Sequence, residues 1–97
     1  MEIITKTVEN RCVVVLDGEL EMNNVSEVKK QILGFDFRDM IIDFEKVTYL
    51  DSSGIGMLIS LHKNALLKGG RLEIINVDSK IKKLFEMVGL TKILNIS

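Results

Sequence analysis

Apolar residues recur along the 97-residue chain with two different periods, and the changes of period mark its elements. Residues 2–9 read as a strand that breaks at Glu9-Asn10. Residues 11–17 carry the β-branched run Val13-Val14-Val15 and predict a second strand, hairpin-linked to the first. Asn23-Asn24 opens a helix, with Val25, Val28 and Ile32 at helical spacing. Glu27 stands three residues after Asn24, like the acidic member of a capping box, and Gly34 closes the helix. Met40-Ile41-Ile42-Asp43-Phe44 predicts a short strand covered on at least one face.

After Ser52 the period turns helical again. Ile55, Leu58, Ile59, His62, Ala65 and Leu66 fall on one face, and Gly69-Gly70 permits a left-handed C-terminal cap. Leu72, Ile74 and Ile75 predict another strand. Asp78 or Ser79 then caps a last helix with Ile81, Leu84, Phe85 and Val88 inside. Gly89 ends it, and Leu90 sits where a Schellman motif takes an apolar contact. Ile93–Ile96 is a short final strand or tail. The order β-β-α-β-α-β-α-β is an α/β pattern in one domain, residues 1–97, whose later strands are parallel because helices cross between them.

Composition narrows the function. The net charge is -1, from 13 basic and 14 acidic residues, with no basic cluster beyond Lys80, Lys82 and Lys83, so no nucleic-acid partner is expected. Those lysines read as the wet face of the last helix. No apolar run approaches the ~20 residues of a membrane span. The first residues lack a signal-peptide pattern, so a cytoplasmic protein without a membrane partner is expected. Cys12, the one cysteine, reads as a small buried hydrophobe. His62 falls on the apolar stripe with no Cys, Asp or Glu at i±4, so it reads as a buried histidine rather than a metal ligand.

The segment Leu50-Asp51-Ser52-Ser53-Gly54-Ile55-Gly56 follows a strand and opens a helix, where sites form in such sheets. Nucleophilic catalysis needs a base, yet His62 lies roughly 15 Å along the helix axis from Ser52 and the Gly-x-Ser-x-Gly elbow is absent. Anion or nucleotide binding would use the free N–H groups of the helix start, but there is no Walker lysine and Asp51 would repel phosphate. Asp51, Ser52 or Ser53 can simply cap the helix. A regulatory phosphoserine is the fourth reading. It adds roughly −1.5 to −2 charges where the helix dipole tolerates them, so a partner's surface feels the change and the fold does not.

Four segments together resemble the bacterial anti-sigma factor antagonists, small single-domain members of the STAS family. Leu16-Asp17-Gly18-Glu19-Leu20-Glu21 is similar to the family's L-x-G-E-L-D segment, and Leu50–Gly56 to its D-S-S-G-[LI]-G phosphorylation segment. Leu84-Phe85-Glu86-Met87-Val88-Gly89-Leu90 is similar to its L-F-x-x-x-G-L ending, and Lys68-Gly69-Gly70-Arg71-Leu72 to its glycine pair before a strand. The resemblance implies a mixed sheet of about five strands with an initial hairpin, parallel crossovers and three to four helices. It implies a protein that catalyses nothing and holds no cofactor. The unmodified form would bind an anti-sigma factor that is also a serine kinase, freeing a sigma factor. Phosphorylation of Ser52, supported by Asp51, Ser53 and Gly54, would switch binding off, and a PP2C-type phosphatase would reset it. Glu21 departs from the family's aspartate by one methylene.

Beside the resemblance, Glu19, Glu21 and Asp51 follow the ends of two strands of one sheet. They would form an acidic rim that steers a basic partner, or a plain solvated loop. Met57 and Leu61 lie away from the predicted core stripe. They would form a docking ridge adjoining Ser52, be covered by a loop, or stand as isolated exposed residues. Two rival functions stay open: a STAS scaffold or sensor subunit without phosphate cycling, and a small-ligand or nucleotide-binding module at the helix N-terminus.

Overall fold

A computed structural model describes residues 1–97. The strands are β1 (Glu2–Val8), β2 (Arg11–Leu20), β3 (Met40–Leu50), β4 (Leu72–Ile75) and β5 (Asn95–Ile96). The helices are α1 (Val25–Leu33), α2 (Ser52–Leu67) and α3 (Ser79–Met87), with a 3₁₀ turn at Leu90–Lys92. Together they form a mixed sheet in the order β1-β2-β3-β4-β5. The β1–β2 hairpin is antiparallel and the later pairs are parallel, as crossover helices require. The hairpin turn places Glu9 and Asn10 at φ 50° and 66°, the doubly left-handed geometry of a tight two-residue turn.

The helices pack on the face that carries Cys12, Val14, Leu16, Ile42, Phe44 and Ile74, which join one core cluster of 21 buried residues. Phe44 of β3 and Phe85 of α3 meet edge to face at 5.9 Å. Cys12 belongs to this core, where burial pushes its thiol pKa up. Gly69 and Gly89 take the left-handed conformation at φ 76° and 77°, as their cap positions require.

Several expectations need correction. β2 and β3 run on to Leu20 and Leu50, three and six residues past the predicted ends. Register shifts in their pairing, between Val15 and Asp17 and between Gly18 and Glu19, hide the later part of each strand from a period-two pattern. No capping box forms at α1: Asn24 makes no side-chain cap bond, and Glu27 accepts instead from the Gln31 amide. Val88 is 53% exposed rather than inside, because α3 ends at Met87 and Val88 already turns toward left-handed Gly89.

The core face of α2 is turned by about 70° from the predicted stripe, at 100° per residue. Gly54, Ile55, Met57, Leu58, Leu61 and Ala65 are buried, His62 is only half-buried and Leu66 is exposed. Met57 and Leu61, at 3% and 4% exposure, are therefore core residues and not a docking ridge. Helix α2 meets the sheet on one side and α1 on another, so it needs a wider apolar arc than a helix lying on a sheet alone.

Candidate functional site

The C-terminal ends of β2 and β3 lie side by side, with Glu19 opposite Tyr49 and Leu20 opposite Leu50. The Asp51 N–H donates to the Leu20 carbonyl at 3.3 Å, which carries the pairing one residue beyond β3. Asp51 itself is extended, φ −108° and ψ −176°, the backbone geometry of an N-cap. Its Oδ1 accepts from the N–H groups of Ser53 at 2.9 Å and Gly54 at 3.3 Å, and from the Ser53 hydroxyl. Its Oδ2 accepts from the Met22 N–H at 3.1 Å. Of the three candidate caps at this helix start, the structure selects Asp51.

These donors set the electrostatics. The Ser53 hydroxyl holds the Asp51 carboxyl below its ordinary range; partial burial opposes this, and the backbone N–H groups of Met22, Gly54 and Ser53 reinforce it. Asp51 is thus an anion whose lone pairs are largely engaged. It satisfies N–H groups that a ligand at this helix terminus would otherwise have to bind.

The two serines differ sharply. The Ser53 side chain is half-buried and spends its hydroxyl on Asp51. Ser52, the first residue of α2, is exposed and its hydroxyl makes no hydrogen bond to the protein. Gly54 explains how the helix can start here. A Cβ at that position would lie 2.5 Å from Leu50 Cδ1 and 3.2 Å from the Leu20 side chain. Only a glycine lets the first turn of α2 approach the strand ends so closely. Gly56, one turn beyond Ser52 on the same face, is exposed with nothing within 4 Å of where its Cβ would be.

The loop between β2 and α1 is fastened beside this helix start. Asn24 Oδ1 accepts from the Glu21 N–H at 2.9 Å, and its Nδ2 donates to the Glu19 carbonyl at 2.7 Å. Asn23 donates to the Glu21 carboxylate at 3.2 Å. The structure therefore brings the backbone of Glu19 and Glu21 next to Asp51, with Glu19 exposed and Glu21 half-buried. Two residues in this region went unanticipated. Met22 is 76% exposed and donates its N–H to Asp51; Tyr49 is 50% exposed and lies two residues before Asp51. Their only signal in the sequence is an apolar residue set among polar neighbours, Glu21-Met22-Asn23 and Thr48-Tyr49. No group of three or more His, Cys, Asp or Glu side chains comes together to hold a metal ion. No helix is long and apolar enough to cross a membrane.

A mixed five-stranded sheet with this hairpin and these parallel crossovers, and with an exposed serine on a capped helix at the strand ends, defines an α/β domain with its candidate site at the strand ends. The STAS domain family matches residues 2–97, and the chain belongs to that family. It is 27% identical over 99 residues to the anti-sigma-B factor antagonist of Bacillus subtilis, covering all of this chain and 91% of that protein. Among solved structures it resembles the anti-sigma factor antagonist SpoIIAA in its unphosphorylated form, with a TM-score of 0.81 and 23% identity, covering 99% of this chain and 88% of the other. It also resembles the Bacillus cell fate determinant SpoIIAA in the phosphorylated form, with a TM-score of 0.73 and 22% identity, covering 99% and 91%.

Proposed function

We propose that this chain is an anti-sigma factor antagonist and that phosphorylation of Ser52 switches it off. In this reading the unmodified protein binds an anti-sigma factor serine kinase in the cytoplasm and so releases a sigma factor. A PP2C-type phosphatase returns the modified protein to the binding form. The observation that carries the reading is the contrast at the start of α2. Asp51 caps the helix and engages the Ser53 hydroxyl, while Ser52 stands exposed with its hydroxyl free.

The physics suits a switch. A phosphate on Ser52 sits at the positive end of α2, where the dipole favours negative charge. It adds to a surface that already holds Asp51, Glu19 and Glu21, so the local field changes sharply while the buried core is untouched. Met22 and Tyr49 supply exposed apolar area beside that charge, and methionine and tyrosine are enriched at interfaces. Glu19 and Glu21 steer a basic partner toward them. In this reading they replace Met57 and Leu61 as the docking residues.

The test is incubation with Mg-ATP and the anti-sigma factor kinase of the same organism, followed by mass-spectrometric mapping. Phosphate is expected on Ser52 only, and none on a Ser52→Ala variant that still binds the kinase. The phosphorylated protein should bind about a hundredfold more weakly, since a doubly charged group set into the apolar contact made by Met22 and Tyr49 loses its hydration there without a matching partner. Phosphate on Ser53, or undiminished binding by the phosphorylated form, would overturn the reading.

A further inference from the structure

A cleft of ≈ 270 Å³ opens between α2 and the β4–β5 edge, at the end of the helix away from Ser52. His62 and Leu66 line it from α2, Arg71 and Leu72 from the start of β4, and Ile93 from the segment before β5. His62 lies ten residues from Ser52, roughly 15 Å along the axis, so the cleft is separate from the phosphoacceptor region.

Its groups are unusually idle. His62 Nδ1 is buried and has no hydrogen-bond partner. The Arg71 backbone N–H donates to Asp39, but its guanidinium makes no ion pair with any carboxylate. Leu66 and Ile93 form apolar lips, 57% and 51% exposed. Glu73 also lines the cleft, and its carboxylate faces Arg11 at 3.8 Å, so its charge is partly met from the other side. A neighbouring cleft of ≈ 220 Å³ shares Arg71 and Glu73 and adds Arg11 and Asp39.

We propose that the cleft binds a small amphiphilic carboxylate. Its head pairs with the Arg71 guanidinium, whose planar fork matches a carboxylate in two parallel hydrogen bonds. Its apolar body lies between Leu66, Leu72 and Ile93, beside the His62 ring. A cation is disfavoured by Arg71. A multiply charged anion is disfavoured by Glu73 and gains nothing from the apolar lips.

The test is ¹H–¹⁵N NMR titration of the full chain with three probes: hexanoate, acetate and hexan-1-ol. Hexanoate is expected to shift His62, Leu66, Arg71 and Ile93 saturably, with a Kd on the order of 1–10 mM for a ligand of this size. Hexan-1-ol and the Arg71→Ala variant should each weaken binding about tenfold, the worth of a charge-assisted hydrogen bond. Acetate and Leu66→Ser should weaken it about fivefold or more through lost apolar contact. Hexanoate leaving these residues unmoved at ~50 mM, against the affinity expected for its size, overturns the proposal. So does hexan-1-ol binding as tightly as hexanoate, a comparison made on the unaltered chain and independent of whether any variant folds. Equal affinity of Arg71→Ala and the parent also overturns it.

Discussion

On the face of α2 that meets the sheet and α1, Gly54, Met57, Leu58 and Leu61 are buried, and Gly54 has no room for a side chain. On the opposite face Ser52, Gly56 and Lys63 stand exposed, and Gly56 looks onto empty space. The same residue type therefore serves two ends within three positions of one helix. Gly54 allows the backbone to approach Leu50 and Leu20, which fixes where Ser52 emerges. Gly56 leaves the surface beside Ser52 low and bare. The inner face decides the position of the serine; the outer face decides what can reach it.

The largest effect should come from the inner face. Leu61→Ala is expected to lower unfolding free energy by about 2–5 kcal/mol, the range for truncating a buried leucine. Urea denaturation measures it, and a loss below about 0.5 kcal/mol would return Leu61 to the surface. Gly54→Val comes next, at about 1–3 kcal/mol, because its branched side chain must displace Leu50 and Leu20 from a packed core. It should also disturb the start of α2, seen as a loss of amide exchange protection at Ser53 and Gly54. Outer-face substitutions should leave that protection intact.

These two faces also mark how far the sequence could be read. The segment Asp51–Gly54 was legible because cap, hydroxyls and glycine act within four residues. The face of α2 was not. Apolar residues at 55, 57, 58, 59, 61, 65, 66 and 67 fill more than half the helix circumference, so two overlapping stripes fit one periodicity. What chooses between them is α1 packed against one flank, which is a long-range fact. The antiparallel hairpin and the parallel crossovers followed from element order alone. The true ends of β2 and β3 did not, because shifts in register break the alternation there. Met22 and Tyr49 carry no period, and Met22 reaches Asp51 only through a hydrogen bond between residues 29 apart in the chain.

Gly56→Ala tests the outer face with opposite signs in two measurements. An exposed helix-interior glycine costs about 0.5–1 kcal/mol relative to alanine, and the new methyl meets nothing within 4 Å. Unfolding free energy should therefore rise by about that amount. If the bare surface beside Ser52 is where the kinase docks, the same methyl weakens binding. A variant that gains stability and loses affinity separates docking from folding. One that gains stability and binds unchanged would move the interface off this part of α2.

The smallest effect joins the two faces at Asp51, which is half-buried and screened by water. The Ser53 hydroxyl, and then the backbone N–H groups, keep its carboxyl ionised below the ordinary range, so its folded pKa lies below its unfolded value. A depressed carboxyl contributes stability that is complete above the unfolded value, about 4, and is lost as pH falls through the folded one. Asp51→Asn should therefore be less stable than the parent at neutral pH, and the gap should close as pH drops below about 4. Urea midpoints across that range measure it. A gap that stays constant would mean the carboxylate's charge contributes nothing, and that Asp51 holds Ser53 and Met22 by geometry alone. Closure of the gap would show that the charge of Asp51, and not geometry alone, anchors the cap.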